Sequence, residues 1–463
     1  MKYDAIVIGS GQSGAPLSNA LADLGWSVAL IEERFLGGTC INTGCTPTKT
    51  MIHRAQVAYY ARNAARWGVI APEVRVDLPA IVAQKDKVVR SFRDGKEKQV
   101  ASRPKIRLYR EHARFSSPHA VSVNGESLES EKIFIDTGAR PRIPDIPGLA
   151  SSGYLTNESI MELMAVPSHL LVLGGSYIGL EMGQMFSRFG AQVTVIQDAP
   201  QIVPREDPEV AAELQRALEA EGMKFIVNAR TTQVERSGDQ ITLRLEVAND
   251  AVAHARAARS VTGSHLLVAT GRRPNTDDLG LDKAGIATDP HGFIKVNPRL
   301  ETTVPGVWAM GDVKGGPAFT HISYNDYQIV YGNLVEGKSL STEHRIVPYS
   351  LFTDPQLGSA GLTEKEARAK GYKLKIGSAP MTSVARAIER DETAGLMKII
   401  VDASNDLILG ATFLATDGGE LIHILYTLML ASLPYTLLKG AIYIHPTLAE
   451  GLFTLMASVK PVD

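Results

Sequence analysis

Two stretches of this chain follow one plan, and together they leave few folds open. In the first, the apolar run Ala5–Ile8 leads into Gly9-Ser10-Gly11-Gln12-Ser13-Gly14, a helical pattern to Leu24 and a second apolar run, Ser27–Ile31. In the second, Leu170–Leu173 leads into Gly174-Gly175-Ser176-Tyr177-Ile178-Gly179, a helical pattern to Phe189 and the run Gln192–Ile196. Each reads as a βαβ unit, in whose first turn backbone amides and a helix N-terminus meet a pyrophosphate. The turn alone is weak evidence. Flanking strands and Glu32, eighteen positions beyond Gly14, make it specific. Glu32 is placed to accept hydrogen bonds from a ribose; its plain alternative is a solvated carboxylate at a strand end. The second copy departs from the pattern, with Ser176 where the second glycine usually stands. Gln197 and Asp198 end its second strand, and no arginine follows before Arg205. An acid there favours a free ribose hydroxyl and an arginine a 2′-phosphate, so the lean is to NADH over NADPH. Two such units predict an α/β protein with two Rossmann-like domains, one for FAD and one for NAD(P).

Further glycines punctuate the chain. Ile135-Asp136-Thr137-Gly138-Ala139 and Val268-Ala269-Thr270-Gly271-Arg272 are similar strand-to-turn crossings, expected where the chain passes between the nucleotide domains. The apolar run Val307-Trp308-Ala309 then ends in Met310-Gly311-Asp312, returning the chain to the first domain. Beyond about residue 345 the pattern turns to strands (349–352, 396–401, 408–412) and long helices. The expected division is 1–148 and 271–343 for FAD, 149–270 for NAD(P), and 344–463 for a separate C-terminal α+β domain. A net charge of −2 over 463 residues, with both signs interspersed, offers no footprint for nucleic acid or an anionic membrane. The longest apolar stretch, Leu421–Leu433, is broken by His423, Tyr426 and Thr427 and reads as a buried or interface helix. No charged segment precedes the first strand, so a cytoplasmic, reducing location is expected.

The chain has only two cysteines, in Gly37-Gly38-Thr39-Cys40-Ile41-Asn42-Thr43-Gly44-Cys45-Thr46-Pro47-Thr48-Lys49. Pro47 suits an early helical position, which would set Cys45 near a helix N-terminus where a thiolate is favoured. The local chemistry favours a redox-active pair. The alternatives are a structural bridge, which a reducing compartment disfavours, and two inert buried thiols. Two cysteines without further clustered ligands cannot close a structural zinc site, and no permanent metal site is expected.

Gly37–Lys49 resembles the GGTCxNxGCxPxK motif of class I pyridine nucleotide–disulfide oxidoreductases, the family of dihydrolipoamide dehydrogenase, glutathione reductase and mercuric reductase. The resemblance extends over essentially the whole length. It implies FAD contacts from Gly9, Gly11, Gly14, Glu32, Gly38, Thr39, Lys49, Thr137, Gly138, Gly311 and Asp312, and nicotinamide contacts around Gly174, Gly179 and Gly271. It also implies a Cys40–Cys45 disulfide, with Cys45 as the flavin-proximal thiolate and Cys40 as the interchange thiol. Lys49 would pair with Glu181 beneath the flavin ring. His445-Pro446-Thr447-Leu448-Ala449-Glu450 resembles the C-terminal HPTxxE motif. There the histidine serves the other subunit's active site as acid–base, oriented by Glu450, which implies a homodimer and a cis His445–Pro446 bond. By its residue type alone, His445 is a turn or core histidine more often than a catalyst.

Within the family the residues around Thr43, Thr46 and Thr48 and the run Ile322–Tyr327 look closest to the mercuric-reductase-like branch. No C-terminal cysteine pair is present to deliver a metal. The expected activity is therefore NAD(P)H-dependent, FAD-mediated reduction of a metal ion, Hg(II) or Cu(II), or of an oxidised species. Cys40 and Cys45 would act as transient, soft ligands. The alternatives are a dihydrolipoamide dehydrogenase or other small-disulfide reductase and, in a different class, a flavin-binding redox sensor without turnover.

Overall fold

The computed structural model describes residues 1–248 and 256–462. Both glycine-rich segments fold as parallel units. Strand Ala5–Ile8 lies between Val28–Ile31 and Ile133–Ile135 in a five-stranded parallel sheet completed by Ile106–Tyr109 and Val307–Ala309. All side chains of the two central strands are buried, because helices and loops cover both faces. A second parallel sheet orders Lys224–Ile226, Gln192–Ile196, His169–Leu173 and His265–Val268. The strand Val307–Ala309 pairs with Ile133–Ile135, so the chain does return to the first sheet. The two crossings meet: Ala139–Pro141 pairs antiparallel with Arg272–Pro274.

Of the elements not foreseen, three stand out. Two are three-stranded antiparallel sheets, one within 113–129 and one spanning Ala229–Ser237, Gln240–Ala248 and Arg256–Gly263. The third is the 24-residue helix Leu78–Ala101, which Asp77 caps by accepting from Ala80 N at 3.0 Å. It lies on the redox helix rather than on a sheet, so no βαβ rhythm announces it.

The last third carries a six-stranded antiparallel sheet in the order 348–351, 356–361, 408–415, 396–402, 374–380, 460–462. Long helices were expected there. Only Gly418–Leu430 exceeds two turns among the described residues; the others run four to seven residues. No helix among the described residues is long and apolar enough to cross a membrane.

One packing arrangement decides where the site forms. The helix Cys45–Arg62 belongs in sequence to the first nucleotide unit, yet Met51 and Ala55 are buried in one core with Leu180, Met182, Met185 and Phe186 of the second. Burying such side chains contributes on the order of 2 kcal/mol each. The redox segment thereby joins the two nucleotide-binding units.

Candidate active site

The first glycine turn is closed by an acid. Asp136, at the end of strand Ile133–Ile135, is buried and accepts from Gly14 N at 2.7 Å and Ser13 N at 3.2 Å. A Cβ on Gly11 would come within 2.7 Å of the Asp136 carboxylate, and one on Gly14 within 2.2 Å of Gly9 O. Only glycine fits this turn. Burial raises the Asp136 pKa well above the carboxylate range, partly offset by the two amides, while the Asp312 and Asp326 charges raise it further. Glu32 accepts from Ser10 N (3.0 Å), Ser10 Oγ (2.7 Å) and Arg34 N (3.0 Å) and faces the cleft above the turn.

The cysteine loop packs directly on this turn. Gly37 and Gly38 both have positive φ (97° and 60°), and a Cβ on Gly38 would lie 2.9 Å from Gly11 Cα. The chain then makes a short helix, Gly38–Asn42, carrying Cys40 and lined by Thr39 toward the cleft. Asn42 Nδ2 donates to Leu36 O (3.1 Å) and Gly38 O (2.9 Å), and Arg93 Nε donates to Asn42 Oδ1 (2.9 Å). Gly44 caps the next helix, Cys45–Arg62, so Cys45 occupies its first position, as the sequence predicts.

Both cysteines are free thiols here, and both line one cleft of about 1900 Å³. They are not equivalent. The Cys45 pKa falls to about 6, chiefly through the hydrogen bond from the Cys40 thiol; crowding by protein opposes this, and Thr320 and the Lys49 charge assist. Cys45 opens on the cleft, so the desolvation comes from flanking protein rather than from full burial. Cys45 Sγ lies 3.1 Å from Thr320 Oγ1, at the start of the helix Thr320–Leu334. Cys40 moves the opposite way, raised by the same hydrogen bond and by burial. The two titrate as a pair: one proton leaves easily and the second is retained.

Lys49, one turn beyond Cys45, meets Glu181 of the second unit at 2.8 Å. Glu181 is 7% exposed, and its other oxygen accepts from Phe352 N at 2.9 Å. The Glu181 end of the pair is buried, while Lys49 is only half-buried and lines the cleft. The second glycine turn keeps its shape despite Ser176, which caps the helix Tyr177–Phe189. Gly174 N donates to Ile196 O (2.9 Å), Gly175 N to Gln197 Oε1 (2.8 Å), and Gly179 packs on Gly174 O.

The crossing residues also converge. Thr137 Oγ1 donates to Asn275 O, Asn275 Nδ2 returns to Thr137 O, and Gly138 and Gly271 turn with positive φ. Asp312 lies 3.5 Å from Arg272 Nε, a buried nitrogen without a hydrogen-bond partner among the described residues. Gly311 N donates to the fully buried Asp326, which also holds Arg345 (2.6 Å) and Lys314 (3.2 Å). Sequence reasoning quoted Asp136 and Asp326 inside longer runs but assigned them no role, and it missed Thr320. For Asp136, a carboxylate ending a strand beside a Gly-rich turn was the available signal. For Thr320 there was none.

His445 stands apart from this cleft. Its Nδ1 lies 2.9 Å from both oxygens of Glu450, and the His445–Pro446 bond is cis. With Nδ1 donating to the carboxylate, Nε2 carries the lone pair. The ring is exposed, flanked by Ile442 (101% exposed) and Ile444 (80%), an apolar surface of the kind a partner covers.

The family model for pyridine nucleotide-disulphide oxidoreductases matches residues 3–326, and the model for the dimerisation domain of the same family matches 347–456. The probable pyridine nucleotide-disulfide oxidoreductase RclA of Escherichia coli is 37% identical, covering 99% of this chain and 100% of its own. A mercuric reductase of Lysinibacillus sphaericus is 33% identical over 97% of this chain and 81% of its own. A dihydrolipoyl dehydrogenase of Thermus scotoductus is 36% identical over 97% and 96%. The solved Cu(II) complex of RclA, an HOCl-induced flavoprotein disulfide reductase, superposes with a TM-score of 0.87 at 37% identity, covering 98% of this chain and 100% of that one. The chain belongs to the pyridine nucleotide–disulfide oxidoreductases, FAD-binding enzymes that use NAD(P)H, and its C-terminal domain is the family's homodimerisation domain. The residues present fit FAD: the glycine cradle on Asp136, the cleft-facing Glu32 and Asp312, and the orphaned Arg272 nitrogen all supply what a dinucleotide needs.

Proposed function

We propose that this enzyme uses NADH, in preference to NADPH, to reduce a Cys40–Cys45 disulfide, whose thiols then reduce a metal ion. Cu(II) or Hg(II) is the proposed substrate class. FAD, held by the first nucleotide unit (1–148 and 271–343), would carry the electron pair between nicotinamide and disulfide. The NAD(P) unit is assigned to 149–270 and the dimerisation unit to 344–463. The observation that carries the reading is the polarity of the thiol pair. Cys45 is the acidic thiol, steadied by Thr320, the Lys49 charge and a helix N-terminus. Cys40 keeps its proton and becomes the exchange nucleophile only when a base removes that proton.

Lys49 and Glu181 hold the Cys45 helix against the second nucleotide unit, so the thiolate and the nicotinamide-side wall keep a fixed spacing. Asp326 holds the Gly311 turn, and Asp312 beside it would meet the FAD ribityl chain. Adjacent thiolates are soft ligands suited to both proposed ions. The RclA neighbour was solved as a Cu(II) complex, and mercuric reductases are relatives, which supports this acceptor class. The location proposed is the cytoplasm, whose reducing environment suits a catalytic rather than a structural disulfide.

The His445–Glu450 pair favours a second reading, reduction of a small disulfide such as lipoamide. A base with a free Nε2 is what dithiol–disulfide exchange requires across the dimer. Steady-state NADH oxidation with Cu(II), Hg(II), lipoamide and glutathione disulfide decides between them. High lipoamide turnover without metal-dependent NADH oxidation would sink the metal reading.

A further inference from the structure

The two thiols are carried by elements of very different firmness. Cys45 heads an 18-residue helix, whereas Cys40 sits in Gly38–Asn42, little more than one turn, too short to repay the cost of nucleating a helix. Ile41 is the only buried side chain of that turn. Closing the disulfide brings the two sulfurs to about 2.05 Å, so the freedom of the pair lies in the placement of the Cys40 turn.

What holds the turn is the side chain of Asn42. Its Nδ2 donates to Gly38 O (2.9 Å) and Leu36 O (3.1 Å), with Phe35 O a longer third acceptor at 3.4 Å. Its Oδ1 accepts from Arg93 Nε at 2.9 Å. A guanidinium can only donate and a carbonyl can only accept, so Arg93 on one side and the carbonyls on the other fix which way the amide points. Arg93 is itself anchored. Its guanidinium lies over the Phe35 ring, 3.8 Å from the centroid, and it projects from the 24-residue helix Leu78–Ala101. One side chain thus ties a long helix to the backbone just ahead of Cys40. Past the turn, Asn157 Nδ2 donates to Thr43 O at 3.0 Å, so the chain is pinned on both sides of the thiol.

We propose that Arg93, acting through Asn42, is a positioning residue that holds the Cys40 turn against Cys45 and so makes the Cys40–Cys45 disulfide harder to reduce. A firmly placed thiol meets its partner at higher effective concentration, which favours the closed pair. This rests on the reading above that the pair cycles as a disulfide.

The test equilibrates FAD-loaded enzyme, without oxygen, in graded ratios of reduced and oxidised dithiothreitol. Two electrons enter the enzyme as dithiothreitol closes to its cyclic disulfide, and alkylation with mass spectrometry counts the Cys40 and Cys45 thiols. Arg93→Met keeps a side chain over Phe35 and removes the donor. It should shift the equilibrium toward the dithiol by about 10-fold, the lower end for a hydrogen bond to a charged group, which raises the potential of this two-electron couple by about 30 mV. Arg93→Gln places an amide nitrogen where Arg93 Nε lies; a neutral donor is about half as strong, so its shift should be roughly 3-fold. A residue that served only the fold would lower the Tm and leave the equilibrium where it is. A wild-type equilibrium in either variant that retains its flavin overturns the proposal, and so do equal shifts in the two. If the wild type forms no Cys40–Cys45 disulfide, the redox reading falls and the proposal with it. If the expected shifts appear but neither metal ions nor lipoamide drive NADH oxidation, the positioning role stands and the acceptor readings fail.

Discussion

The Cys45 thiolate depends first on the thiol of Cys40, and that dependence can be measured. Consider Cys40→Ala and Cys40→Ser side by side. Serine retains an O–H that can donate to Cys45, whereas alanine removes the largest single contribution to its acidity. A hydrogen bond to a charged group contributes roughly 1.5–3 kcal/mol, and one pKa unit is about 1.4 kcal/mol, so alanine should raise the Cys45 pKa by about 1–2 units. Starting from about 6, the wild-type arrangement leaves Cys45 mostly thiolate at neutral pH. Because the folded pKa is lowered, the thiolate persists above that value and is lost as the pH falls through it. The alanine variant should lose it at distinctly higher pH, and the serine variant close to the native value. The assay is the long-wavelength thiolate band of the flavin-loaded variants, followed from pH 5 to 9. Cys45→Ser should have no band at any pH. Coincident titrations for the alanine and serine variants would refute the hydrogen-bond account. A band that survives Cys45→Ser would refute the assignment of the two thiols.

Lys49→Met should also shift the Cys45 titration to higher pH, by less than Cys40→Ala, because its charge ranks below both hydrogen bonds. An unchanged titration would show that Lys49 acts only on Glu181. Gly14→Ala drives a Cβ to 2.2 Å from Gly9 O, so the purified variant should show a sharply lower flavin-to-protein absorbance ratio. A native ratio would mean that the turn has room to shift. Lys398 is 2% exposed and bonds Asp207, Glu209 and Glu364. Lys398→Met leaves the buried Asp207 carboxylate without its cation and should destabilise the fold by about 3–5 kcal/mol, seen by calorimetry as a lowered Tm. An unaltered Tm would show that this cluster is solvated.

Several of these features were legible from residue order. The strands Ala5–Ile8 and His169–Leu173 fall where apolar runs stop at glycines, because a buried parallel strand reads as a nearly continuous apolar run. Cys45 at a helix start followed from Pro47. The short helices after residue 345 were not legible, since apolar runs there serve sheet faces as readily as helix faces. Thr320 could not be found either: its partner is 275 residues away in the chain.

Sequence by itself determined the two nucleotide turns and the thiol pair, because these depend on neighbours within a few residues: glycine for tight backbone, small polar residues for caps, cysteine for redox. Tertiary structure decided how far the Cys45 thiol is acidified. Beyond the Cys40 thiol next to it, that depends on Thr320 at the head of a distant helix, on Lys49 anchored by Glu181 from the other unit, and on a cleft formed only when separate segments pack together. Local chemistry supplies the groups, while a pKa depends on whichever charges and donors folding brings within a few ångströms.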